Sequence, residues 1–74
     1  LNYTELQQLV KHGVEYLFCL DDNEYWISQN ADGYYLTRQD GYSQDFVTSE
    51  ELFRDGRIEG KTILELWDKI KDQF

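Results

Sequence analysis

The chain has 74 residues, with 15 Asp and Glu against 7 Lys and Arg, for a net charge of −8 at pH 7 with its one histidine neutral. So few cations cannot build a broad basic face, which excludes unaided binding to nucleic-acid phosphates or to an anionic membrane surface. A composition 41% hydrophobic and 16% aromatic is too apolar for intrinsic disorder, and the length allows one small domain over residues 1–74, too small for a two-lobed enzyme with a deep cleft.

The pattern from Asn2 to His12 predicts a helix. Leu6, Leu9 and Val10 share one face, Asn2 or Thr4 can cap it with Glu5 or Gln7 reaching back, and Gly13 provides a left-handed stop. Val14 to Leu20 then alternates Val14, Tyr16, Phe18 and Leu20 against Glu15, Leu17 and Cys19, the two-residue period of a strand. The polar run Asp21-Asp22-Asn23-Glu24 is expected to turn the chain into a second strand, Tyr25 to Gln29. Asn30-Ala31-Asp32-Gly33 reads as a hairpin turn into a third strand, Tyr34 to Gln39. A second Asp-Gly pair, Asp40-Gly41, precedes Tyr42 to Val47, the weakest strand candidate because Ser43, Gln44 and Asp45 interrupt it.

After Val47 the period changes. Thr48-x-x-Glu51 has the form of a capping box for a short helical turn carrying Leu52 and Phe53 and stopping at Gly56, and Ile58 is expected to anchor the connection. Thr62-x-x-Glu65 opens the clearest helix, with Ile63, Leu66, Trp67, Ile70 and Phe74 on one stripe. The order α-β-β-β-(β)-α-α is that of a small α+β domain: a three- or four-stranded antiparallel meander flanked by an N-terminal and a C-terminal helix, with the helices together on one face.

No motif for chemistry survives scrutiny. Gly60-Lys61-Thr62 before a helix hints at a phosphate loop, but the first glycine of that loop is replaced by Asp55, so Thr62 is expected to be a helix cap and Lys61 a solvated side chain. Asp21, Asp22 and Glu24 are spaced wrongly for a calcium loop, because Tyr25 and Trp26 fall on its fifth and sixth positions. With one histidine and one cysteine, no His/Cys zinc cluster can form within the chain. His12 suits the exposed carbonyls at a helix end, and Cys19 is expected to be a buried, inert thiol. No catalytic, cofactor-binding or metal-binding residue is therefore assigned, and no cofactor is expected.

Cys19 has no intrachain partner, which excludes a disulfide scaffold and favours a reducing, cytoplasmic setting. The longest apolar stretch, Val14 to Leu20, is far shorter than the roughly 20 residues of a membrane span and includes Glu15.

What remains is aromatic surplus and charge placement. If Tyr16, Phe18 and Leu20 face the helices, Leu17 and Cys19 face outward, joined by Trp26 or by Tyr25 and Ile27; of the adjacent Tyr34 and Tyr35, one must leave the core face. Residues 1–53 hold ten acidic and two basic side chains, whereas residues 54–74 hold five of each. The excess charge thus sits mainly on the sheet and its turns. These features predict a non-enzymatic binding or regulatory module that engages a basic protein surface through Asp21, Asp22, Glu24, Trp26, Asp32, Tyr34, Tyr35 and Asp40. In size, acidity and tyrosine content the chain resembles, in type, small inhibitor proteins of phages and mobile elements, some of which occupy the nucleic-acid groove of their target. That resemblance implies an alternative in which the acids mimic nucleic acid. A further alternative is self-association into a homodimer through the aromatic face; direct binding to nucleic acid or membrane is not expected.

Overall fold

The computed structural model describes all residues 1–74. Helix α1 (Tyr3–Lys11) is followed by strands β1 (Tyr16–Leu20), β2 (Asn23–Asn30), β3 (Gly33–Arg38) and β4 (Ser43–Phe46), then by helices α2 (Ser49–Asp55) and α3 (Ile63–Ile70) and a closing 3-10 turn, Lys71–Gln73. The strands form one antiparallel sheet in the order β1-β2-β3-β4. The weak fourth strand is real. Its polar residues are tolerated because β4 is an edge strand, where Ser43 and Asp45 turn to solvent and only Phe46 packs against the core.

Each helix begins where its capping residues direct. Asn2 Oδ1 accepts from Glu5 N–H at 2.8 Å and Glu5 Oε1 from Asn2 N–H at 3.1 Å; Thr62 and Glu65 repeat this box at the start of α3. At α2 the box is altered. Thr48 Oγ1 accepts from Glu51 N–H, but the Glu51 carboxylate accepts from Val47 N–H instead of from the cap residue. Gly56 ends α2 as expected, though its backbone is extended rather than left-handed; it is glycine because an added Cβ would stand 2.4 Å from the Leu52 carbonyl oxygen.

All three helices lie on one face of the sheet, α3 against β1 and α2 against β3 and β4, with α1 packed on α2. Between the layers sit Leu6, Val10, Phe18, Ile27, Leu36, Leu52, Ile58, Ile63 and Ile70, each nearly or fully buried. Nine of the 12 aromatic side chains belong to this core or to its margin. Tyr3 joins the helices, its ring edge-on to Phe53 and to Trp67 at 5.7 Å each, while Phe74 stacks on Trp67 at 5.4 Å and meets Tyr16 and Phe18 at 5.3 Å. The aromatic surplus is therefore mostly structural. It fills a thin two-layer domain with large rigid rings.

Two expectations need correction, and one open choice is decided. The first hairpin turn is shorter than the run Asp21 to Glu24: Leu20 pairs with Asn23, β2 already begins at Asn23, and only Asp21 and Asp22 form the loop, at φ of 50° and 68°. That is the geometry of a two-residue turn whose twist matches the strands, here built from aspartates instead of Asn-Gly. Cys19 is exposed, not buried, because alternation from the buried Phe18 and Leu20 directs it to the opposite face. Tyr34 and Tyr35 part as alternation requires, and Tyr34 takes the helix side. Its hydroxyl donates to the Lys11 carbonyl at 2.9 Å, satisfying an open acceptor at the end of α1.

Candidate functional site: the open face of the sheet

Register decides what the uncovered face presents. Leu17 is paired with Trp26, Trp26 with Thr37 and Thr37 with Ser43, so these four side chains form one row across all four strands. Cys19 and Glu24 lie in the row above, and Ser28, Tyr35 and Asp45 in the row below. Tyr25 and Ile27 are buried on the other face, which leaves Trp26 outward.

Leu17 is 60% exposed and Trp26 45%. Such exposure is notable in adjacent apolar side chains on a sheet, where cross-strand contact is closest between residues that do not share backbone hydrogen bonds. Leu17 and Trp26 are such a pair. Cys19 directs its backbone groups away from β2 to the Gln73 side chain, and Glu24 directs its own to Gln39; alternation along the ladder then gives Leu17 and Trp26 the same arrangement. Tyr35 is diagonal to Trp26, its hydroxyl held by a 2.8 Å hydrogen bond to Asn30 Oδ1. Leu17, Trp26 and Tyr35 thus make an oblique apolar stripe over three strands.

Carboxylates border the stripe. A shallow depression of about 190 Å³ beside Leu17 and Trp26 is lined by Glu24, Thr37, Arg38 and Gln39. A second, near 320 Å³, runs between Glu15, Leu17 and Trp26, and a third, near 230 Å³, between Asp32, Tyr35, Asp45 and Val47. Arg38 is the one base near this face, and it is engaged. Its Nε and Nη2 donate to the two Asp40 oxygens at 3.0 and 2.8 Å while the guanidinium lies 5.2 Å from the Tyr42 ring centre. The hydrogen bond from Arg38 holds the Asp40 carboxyl below the usual aspartate range.

The predicted residues do not form one cluster. Glu24, Trp26 and Tyr35 share the open face. Asp21 and Asp22 stand at one end of the sheet with Asp40, and Asp32 stands at the other, because successive turns of a meander alternate ends. Asp21, Asp22, Glu24 and Asp32 form no ion pair, whereas Asp40 is already neutralised by Arg38. Tyr34 is off the face. Glu15 and Asp45 join the border without having been predicted as site residues; the signal that places them is the same two-residue period that exposes Leu17.

No group of three or more His, Cys, Asp or Glu side chains converges as a metal site, and no helix is long and apolar enough to cross a membrane. Compared with protein-family models, with curated proteins and with solved structures, the chain matches none.

Proposed function

We propose that this chain is a non-catalytic binding module whose open sheet face engages a basic surface on a partner protein. The observation that carries the reading is the exposed Leu17–Trp26 pair, bordered by Glu15 and Glu24 on a face whose nearest base is already paired. Apolar area of this kind supplies affinity once water is removed, and aromatic side chains are common anchors at such interfaces. The unpaired carboxylates steer a cationic partner toward it over about 8 Å, the screening length at physiological salt. Nothing in this mechanism requires a cofactor.

The test compares proteins captured from a source-cell lysate by the wild type and by the double variant Trp26→Ala, Tyr35→Ala. Both side chains are outside the core, so circular dichroism should report an unchanged fold. A basic protein retained by the wild type and lost by the variant is the expected result. Identical capture by the two would reject this face.

A narrower version of the reading has the carboxylates standing in for nucleic-acid phosphates. It is favoured by the confinement of the −8 excess to residues 1–53. Competition of the captured partner by duplex DNA, at a fixed salt concentration, tests it.

A further inference from the structure

The shape and border of the open face say more about the partner than its charge. We propose that the partner presents a basic amphipathic helix, which lies along the Leu17–Trp26–Tyr35 stripe as a third layer of the domain. This rests on the reading that the open face binds a cationic protein, and adds the form of its binding element.

Three observations support a helix over other occupants. The first is the state of the edges. An extended segment would bind by adding a strand, but β1 is blocked at Cys19, whose N–H donates to Gln73 Oε1 at 2.6 Å and whose carbonyl accepts from Gln73 Nε2 at 2.7 Å. The opposite edge, β4, has only four residues and carries Asp45. Short, charged or covered edges resist strand addition.

The second is dimension. Four strands spaced about 4.8 Å apart give a face roughly 14 Å wide. A helix laid along the stripe crosses that width in about ten residues, just under three turns.

The third is the order of chemistry across the face. An apolar stripe has a carboxylate on each of its sides, Glu24 beyond Trp26 in one direction and Glu15 beside Leu17 in the other, and Asp45 stands at its β4 end next to Tyr35. Its complement is an apolar stripe flanked by Lys or Arg on both sides, the arrangement of a basic amphipathic helix. A second copy of this chain lacks that complement. Face-to-face pairing would set the same carboxylates against one another, at −8 per copy.

The test uses a designed peptide of about 18 residues, long enough for five helical turns, with leucines along one face and arginines on both flanks. One control keeps its composition but places two prolines at the centre; another replaces every arginine by glutamine. Binding is measured by calorimetry, and location by the shift of the Trp26 indole N–H resonance in the full chain. The helical arginine peptide should bind and shift that resonance. The proline peptide, the Trp26→Ala variant and the Glu24→Lys variant should each weaken binding about tenfold or more.

Equal binding by the proline peptide would overturn the helix while leaving a basic partner in place. Equal binding by the glutamine peptide would overturn the charge argument and the functional reading with it. Binding by none of the three would remove the helical occupant, and the lysate comparison would then decide separately on the basic partner. Binding that leaves the Trp26 resonance unmoved would place the site elsewhere and overturn the proposal.

Discussion

At the scale of single residues, the least comfortable positions are in the first hairpin. Asp21 and Asp22 both hold positive φ, a region that costs an ordinary L-residue about 1–2 kcal/mol and that aspartate tolerates better than most. They also place two carboxylates side by side. Replacing the pair with Asn-Gly should stabilise the domain by roughly 0.5–1 kcal/mol, read from the midpoint of urea unfolding. Gly33 presents the opposite case. A Cβ there would lie 2.3 Å from the Phe46 carbonyl oxygen, a backbone atom that can move only if β3 and β4 separate. Gly33→Ala should therefore cost about 2 kcal/mol or more and loosen amide protection in β4 first. The sequence marks Gly33 as a turn residue, but its reason for being glycine is a contact with a carbonyl thirteen positions away. That contact is invisible until the strands are paired.

At the scale of elements, the caps tie stability to pH. The Thr62 backbone N–H and then its hydroxyl hydrogen-bond to Glu65 and hold this carboxyl below the usual glutamate range. A carboxyl whose pKa is depressed on folding adds stability that is present above its unfolded pKa and disappears as pH falls through the folded one. The domain should thus lose stability on acidification below the ordinary glutamate range. Glu65→Gln, which keeps an oxygen acceptor but cannot titrate, should flatten that part of the curve of thermal midpoint against pH. The β1 edge makes another element-scale prediction. Gln73→Ala removes both bonds to Cys19, costs about 1 kcal/mol, and should raise concentration-dependent association by baring a strand edge, detectable by light scattering. Helix positions and starts were legible in the sequence because Asn2, Thr48 and Thr62 act within three residues of their targets. The Gln73–Cys19 bridge spans 54 positions and leaves no local trace.

For the whole molecule, charge is the controlling quantity. Three exposed ion pairs, Arg38–Asp40, Arg54–Asp55 and Lys71–Asp68, leave the acids of the first hairpin and of the open face unpaired. The folded state brings this excess into a body with principal extents of 30 × 27 × 18 Å, so it repels itself. Raising ionic strength should increase the thermal midpoint of the free domain while weakening its binding to a basic partner. Those opposite responses to one variable separate intramolecular repulsion from intermolecular attraction. Capping, periodicity and charge are local or additive properties, so the class of fold, the element order and the acidity of the sheet half can be read from the residues alone. Which side of each strand is buried depends instead on packing between elements far apart in the chain. That choice sends Trp26 and Cys19 to solvent and Tyr34 to the core, and leaves most of the aromatic side chains holding the layers together. Alternation fixes two opposite faces but does not say which one the helices will cover; packing against Leu6, Leu52, Ile63 and Ile70 settles it.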